Sequence, residues 1–327
     1  MTVDARHAIH SSRPGKTAWQ RGRLLALGSV LVAVLLVAHE YVPNRWGNLG
    51  SLVQTFLPWL GLAVPLGILA ALLRRSALAV LAVLLPLAAW IWVFLPQLRP
   101  ADPAPGDLTV VQHNASDTNT DVAGTADVLL AAHPDVVTLT EVTQETAGRY
   151  TEAFAEQLPH HETQGTVGVW SRYPLRDASD VDLRPVGVEA TWDRCLRVVL
   201  ERDDARIALF VAHLPSVRFG SGGFETELRD GSALRLADVV AGEQNRDVLV
   251  AGDLNAVLAD DAIAPLTHQV TAPVRGFELT YPAQFPVVQI DHVLARGLTV
   301  TDVRALPRTG SDHLPVVARI ATRPAPR

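Results

Sequence analysis

The sequence predicts an apolar region of three membrane-spanning helices followed by an α/β domain, and three observations carry that expectation. Apolar residues crowd into the first hundred of the 327 positions. Charge divides at the same place: residues 1–100 hold nine Lys+Arg and two Asp+Glu, leaving 19 basic and 32 acidic residues in 101–327. Beyond residue 106, short β-rich runs alternate with helical stretches and turns, the pattern of an α/β protein.

The apolar region reads as three stretches at 24–38, 49–73 and 77–98. The second and third have the roughly 20 residues a bilayer crossing takes. The first is shorter, with Arg21 and Arg23 placed to snorkel at its start. A cleaved signal peptide is the alternative for it, since basic residues precede the apolar run. Pro58, Pro65 and Pro86 fall inside the stretches, where prolines are better tolerated than in soluble helices. Trp46 is the best placed of the tryptophans for an interfacial position. Arg6, Arg13, Lys16, Arg21 and Arg23 precede the first stretch, Arg74 and Arg75 lie between the second and third, and Arg45 alone lies between the first and second. Basic loops stay cytoplasmic, so residues 1–23 are expected to be a cytoplasmic tail, and the part beyond a stiff linker at 99–106 is expected outside the cell membrane. The catalytic domain is then 107–321, with a tail at 322–327.

An acidic domain is a poor non-specific binder of nucleic acid, because phosphate contacts supply most of that affinity. Cys195 is the only cysteine, which excludes an internal disulfide and a cysteine zinc site. Strands are expected at 108–112, 136–140, 168–171, 196–200, 207–212, 248–251, 288–294 and 316–320, with helices at 123–132 and 234–244. Polar residues interrupt or end these apolar runs: Asn114, Glu141, His213, Asp253, Asn255, Asp291, Asp312 and His313. Burying so many polar groups without partners is costly, and a shared metal and phosphate site would supply partners. His160 and His161 read as a solvated turn, and His292 as a packing residue on the strand face opposite Asp291.

Gln112-His-Asn114, Thr140-Glu141-Val142, the run Gly168 to Leu175, Ala212-His-Leu214, Ala251-Gly-Asp-Leu-Asn255, Gln289-Ile-Asp-His-Val293 and Gly310-Ser-Asp-His-Leu-Pro315 follow one another in order. In that order they resemble the motifs of the endonuclease/exonuclease/phosphatase superfamily. The resemblance implies a four-layer sandwich of two packed mixed sheets flanked by helices, and metal-dependent phosphoester hydrolysis. It implies Glu141 and Asp312 as metal ligands, with Asn114 holding the metal site or a phosphate oxygen, and Mg²⁺ as the cofactor with Mn²⁺ as a substitute. It implies His313 as the catalytic histidine, oriented by Asp291. Asp253 and Asn255 would orient the water and contact the phosphoryl group. His213 would donate to a phosphate oxygen or protonate the leaving group. Arg172 is a further candidate for contacting phosphate or bracing the site.

Membership of such a superfamily does not fix the substrate. An outward, acidic domain tethered to the bilayer favours a lipid-linked phosphate presented at the membrane, and Phe219 and Phe224 in a glycine-rich loop are placed to touch lipid. Three spans with an outward catalytic domain, and the runs Gly47 to Ser51 and Phe56 to Leu60, also resemble the VanJ-type membrane proteins of teicoplanin resistance. That resemblance implies a polyprenyl pyrophosphate phosphatase. A membrane-tethered nuclease and a non-catalytic envelope protein are the alternatives.

Overall fold

The computed structural model describes residues 22–99, 106–203, 205–273 and 276–322. Most of the expected cytoplasmic tail, the linker and the C-terminal tail lie outside them. The chain divides into two compact units, one of Met1–Ala38 with Leu57–Phe94 and one of His39–Phe56 with Leu95–Arg327.

The first unit contains α1 (Arg23–Val37). The segment α2 (Leu49–Thr55) that follows in sequence belongs to the second unit. The chain returns to the first unit with a 3-10 turn at Leu57–Leu62, α3 (Ala63–Leu73) and most of α4 (Ala77–Leu98). Trp90 Nε1 donates to the Pro58 carbonyl at 2.8 Å and holds α4 to that turn. The expectation of three spanning helices needs correction. Among the described residues, Ala77–Leu98 alone is long and apolar enough to cross a bilayer by itself. Leu49–Thr55 and Leu57–Leu73 qualify only together, as a broken pair. Pro58 has no N–H to continue the first helix, and α2 instead buries Ser51 and Gln54 in the second unit. Arg23–Val37 has 15 residues, about 22 Å of helix against a hydrocarbon core of about 30 Å.

The second unit is the α/β domain. Its elements in order are β1 (Leu108–Asn114), α5 (Val122–Leu130), β2 (Val136–Thr140), α6 (Gln144–Phe154), β3 (His160–Gln164), β4 (Val167–Ser171), β5 (Leu175–Asp180), β6 (Cys195–Arg202) and β7 (Ala205–His213). Then follow β8 (Arg218–Gly220), β9 (Gly223–Glu225), α7 (Glu227–Gly242), β10 (Asp247–Asp253), α8 (Ala264–Thr267), β11 (Asp291–Arg296), β12 (Thr299–Ala305) and β13 (Val316–Ala321). One sheet has the order β12-β13-β1-β2-β4-β3 and the other β11-β10-β7-β6-β5.

Both sheets are covered on both faces, which is why their central strands are apolar at successive positions. Side chains alternate across a strand. Val110, Leu209 and Leu249 therefore fill the core between the sheets. Their neighbours Phe210 and Val250 pack outward with Leu236 and Val240 of α7. Val111 packs outward with Leu129 of α5 and Phe154 of α6. Helices, sheet, sheet and helices make the four layers that the resemblance implied.

The strands missed by hydrophobic pattern lie at the edges. β3 and β5 are exposed along nearly their whole length and carry polar residues, as edge strands do to discourage further pairing. His160 and His161, expected in a turn, thus stand on β3. The loop at 219–224 is a hairpin of β8 and β9, with Phe219 exposed and Phe224 buried. Helix α7 starts seven residues before its expected position. Its first turns contain Arg229, Asp230, Gly231 and Ser232, a run that reads as a turn until Arg229 is seen to be buried and paired.

Arg197 Nε on β6 donates to Glu243 Oε2 at 2.6 Å, and the Asn245 backbone and side chain donate to Glu243 Oε1. Burial alone would raise the Glu243 carboxyl, but the Arg197 and Asn245 hydrogen bonds bring it down to about 2. A depressed carboxylate stabilises the fold above its unfolded value of 4.5 and loses that contribution as pH falls towards 2. Glu243→Gln is expected to cost about 1–2 kcal/mol at pH 7, read by thermal melting. The variant should also lack this component of the wild-type loss of stability between those pH values.

Candidate active site

Strand direction gathers the candidate residues at one edge. β1 and β2 are parallel, as are β7 and β10, so Asn114, Glu141, His213 and Asp253 all sit at C-terminal strand ends. β11 and β13 run antiparallel to β10 and β1, so the start of β11 and the turn before β13 come to the same edge with Asp291, Asp312 and His313. Asp253 is the cross-strand partner of both His213 and Asp291. Gly252, just before it, lies so close to the Ala212 carbonyl of β7 that a Cβ there would collide with backbone. Glu141 and Asn255 follow the ends of β2 and β10 in left-handed backbone, with φ of 55° and 48°. Non-glycine residues hold that conformation only where their surroundings fix it. Asn255 is fixed by its N–H donating to Asp253 Oδ1 at 2.9 Å and its Nδ2 donating to the Leu214 carbonyl at 2.8 Å.

Asn114 Nδ2 donates to Glu141 Oε1 at 3.1 Å and to Asp253 Oδ2 at 3.0 Å, while its Oδ1 accepts from the Ser116 N–H. It therefore braces the two carboxylates through its amide nitrogen. Ser311 ties the turn before His313 to the end of β1, donating to the Asn114 carbonyl at 2.7 Å and accepting from the His313 N–H. His313 Nδ1 meets Asp291 Oδ2 at 2.8 Å, both buried. Burial pulls the His313 imidazole down, but the charge and hydrogen bond of Asp291, with Asp253 and Asp312 beyond, carry it up to about 10. Burial would raise the Asp291 carboxyl, and His313 holds it low. Asp253, buried and facing Asp291, is pushed up.

His213 is in the opposite state. Arg194 Nη1 lies 3.3 Å from its Nδ1, and a guanidinium can only donate, so the ring carries its proton on Nε2. Burial first, then Arg194 and His313, bring this imidazole down to about 3. Its Nε2 is buried without a hydrogen-bond partner, 3.6 Å from Glu141 and 3.8 Å from Asp253. The site thus pairs a cationic His313 with a neutral His213 that presents an N–H.

The donor set suits a hard divalent cation, which takes oxygen ligands. Glu141 is partly exposed at the rim beside buried Asp253, and Asp291 Oδ1 is buried without a partner. Glu141, Asp253 and Asp312 all press on the Tyr281 phenol, whose pKa burial and these charges raise. One atom each from Asp253, Asp291 and His313 also lie within 4.8 Å of one another. The His313 Nδ1 and Asp291 Oδ2 of that group are already bonded to each other at 2.8 Å, and a hard cation prefers carboxylate oxygen to imidazole nitrogen, so the oxygen set around Glu141 is the better cradle.

Arg194 and Tyr281 escaped sequence reasoning, as did the role of Ser311, although Ser311 lies in the motif that holds His313. Tyr281 packs against His313 with the rings tilted and their centroids 4.8 Å apart, and neither it nor Arg194 carries a local signal of that role. Arg172 is elsewhere. It pairs with Asp135 at 3.1 Å, beside the start of β2, at the opposite end of that strand from Glu141. His292 is buried, with Nε2 at 2.8 Å from the Ala256 carbonyl.

Asp291→Asn is expected to lower kcat by about 10²-fold or more, because His313 loses its orienting anion. In the metal-free protein the His313 ring proton resonances should then titrate far below pH 10, the sign set by removal of the charge that raised it. In the wild type, the pair's contribution to stability is complete between the unfolded values of 3.8 and 6.5 and is lost as pH climbs towards about 10.

The model of the Endonuclease/Exonuclease/phosphatase family matches residues 106–313. No curated protein matches the sequence. Among solved structures, sphingomyelinase C from Streptomyces griseocarneus is similar at 19% identity and TM-score 0.50, covering 67% of this chain and 100% of its own. A beta toxin variant from Staphylococcus aureus with bound magnesium ions is 14% identical, with TM-score 0.52, covering 65% of this chain and 99% of its own. TDP2 from D. rerio, complexed with a single-strand DNA product, is 18% identical, with TM-score 0.54, covering 66% and 99%. At these identities the likeness is one of fold. The family match spans well over half of the chain and contains all eight candidate site residues, from Asn114 to His313: the chain belongs to the Endonuclease/Exonuclease/phosphatase family of metal-dependent hydrolases.

Proposed function

We propose that the domain hydrolyses a phosphoester or phosphoanhydride of a lipid-linked substrate, a polyprenyl pyrophosphate or a phospholipid, at the outer membrane surface. The observation that carries the chemistry is the convergence on one pocket of His313, held by Asp291 at 2.8 Å, and His213, whose Nε2 lies 3.6 Å from Glu141 and 3.8 Å from Asp253. Glu141 and Asp312, with Asn114 as brace, would hold Mg²⁺ or Mn²⁺, and the ion would supply Lewis-acid stabilisation of charge on the phosphoryl group. Asp253, its carboxyl pushed up by burial, accepts the proton of the attacking water, and Asn255 orients that water. His213 donates its Nε2–H to a phosphate oxygen, since a neutral imidazole is a far better hydrogen-bond donor than acid. Cationic His313, fixed by Asp291, stabilises the charge that builds on the phosphoryl oxygens.

The lipid reading rests on the apolar helices. Only 28% of the apolar window in Ala77–Leu98 is buried, unlike the core helix of a soluble protein. Leu24, Leu31, Leu66, Leu72, Leu81 and Trp92 are exposed on α1, α3 and α4, a surface that suits hydrocarbon. This supports association with the cell membrane; a cytoplasmic N-terminus, an outward catalytic domain and the VanJ type are proposed from the arginine distribution and the sequence resemblance alone.

The test is phosphate release from undecaprenyl pyrophosphate by detergent-solubilised protein with Mg²⁺, beside His313→Ala and a plasmid-nicking control. Release is expected to fall about 10³-fold in His313→Ala and to stop on chelation of the metal. Nicking without release would replace this reading with a membrane-tethered nuclease.

A further inference from the structure

Residues 39–56 come between two apolar helices in sequence, yet they are built into the catalytic unit. The Phe224 N–H donates to the Gly47 carbonyl at 3.0 Å. Gly47 and Gly223 are both at positive φ, and a Cβ on Gly47 would strike the Gly222 carbonyl while one on Gly223 would strike the Gly47 backbone. Asn48 Nδ2 donates to the Phe224 carbonyl and to Glu227 Oε1. Gln54 exchanges two hydrogen bonds with Asp261, its Nε2 donating to Oδ2 at 2.6 Å and its Oε1 accepting from the backbone N–H at 3.1 Å.

At the centre of this contact is a buried polar chain that ends at the active site. The Ser51 hydroxyl, fully buried, donates to Asp260 Oδ1 at 2.9 Å. Asn44 sets that hydroxyl, donating to it from Nδ2 and accepting the Ser51 N–H on Oδ1. Asp260 Oδ2 accepts from Arg229 Nη2 at 2.7 Å, and Arg229 Nε donates to Asp230 at 2.5 Å. The remaining Arg229 nitrogen, Nη1, donates to the backbone carbonyl of Asn255 at 3.3 Å. Asp260 and Arg229 are each about 1% exposed, so the ion pair has little water to lean on, and losing one partner strands a buried charge. The carbonyl it reaches belongs to the left-handed residue two positions after Asp253.

We propose that residues 39–56 are a structural part of the catalytic domain, and that Ser51, Asp260 and Arg229 are positioning residues that fix Asn255 and the turn after Asp253. The role follows from geometry. The Asn255 side chain is spent on the Leu214 carbonyl through Nδ2 and its N–H on Asp253 Oδ1, so the aim of both residues depends on where the Asn255 backbone is held. Arg229 supplies that hold from the side away from the strands, and Ser51 completes the coordination of the carboxylate that holds Arg229. The inference rests on phosphoester hydrolysis by this site, and not on which ester is cleaved.

The test uses the full chain in detergent, with bis(p-nitrophenyl) phosphate and Mn²⁺ as the probe. Ser51→Ala is expected to lower kcat about tenfold with little change in KM, since small misplacements at a reacting centre act on turnover. Ser51→Thr, which keeps a hydroxyl, should recover most of the loss. In an Asn255→Ala background the same Ser51→Ala change should cost less than about twofold, because residues acting through one another are not additive. Hydrogen exchange of the amides at 253–256 should rise in Ser51→Ala while those of β1 stay protected. Unchanged kcat, the full tenfold loss persisting in the Asn255→Ala background, or unchanged exchange at 253–256 would each overturn the proposal. Should Ser51→Ala fail to give a cooperative melt, Asn44→Ala carries the same expectations at a smaller size. The exchange readout does not depend on turnover, so a wild type inert to the diester would count against the probe or the hydrolase reading while exchange still decides the positioning role.

Discussion

The two sheets meet at the active site through the side chain of one asparagine. Asn114 ends a strand of one sheet, and its amide reaches Asp253 at the end of a strand in the other, with Glu141 held by the same nitrogen. Both carboxylates would otherwise repel across the gap, and Asp253 is almost wholly buried. The amide offsets that repulsion and sets the separation of the two sheets where the chemistry takes place. The rest of the pocket is arranged around Asp253: His213 and Asp291 are its cross-strand neighbours, and Asn255 caps its free oxygen.

The charge pattern follows from which partner each histidine was given. His313 faces an anion and is buried with it; His213 faces an arginine. Burial alone would leave both neutral. The carboxylate raises one ring against that burial and the guanidinium lowers the other with it, so two rings of the same kind differ in charge within the same pocket.

The polar residues that end apolar strands were legible because each follows a run whose period and composition announce a strand, and the six strand ends share one edge once strand directions are known. Gly252 to Asn255 and Ser311 to His313 are local in sequence and could be read as units. What was not legible is set by distance. Arg194 acts on His213 from 19 positions away, Tyr281 packs against His313 from 32 positions away, and nothing in their own neighbourhoods marks them. Arg172 misled because it follows a motif strand, while antiparallel pairing carries the end of that strand away from the pocket. The edge strands β3 and β5 were hidden by polar sequences suited to solvent, and the first turns of α7 by a buried arginine whose pairing with Asp260 lies outside the helix. The apolar region was read by composition, which finds hydrophobic length but not the break before Pro58, where α2 leaves the apolar run to bury its serine and glutamine in the other unit.

That break has a consequence for how the chain is threaded. Residues 57–94 leave the catalytic unit after Phe56 and return to it at Leu95. A segment that starts and finishes in one folded body can enter a bilayer only if it comes back out on the side where it went in. Were residues 57–94 to cross a bilayer, they would have to cross it an even number of times, since an odd number would put residues 39–56 and the strands they pack with on opposite sides of the membrane.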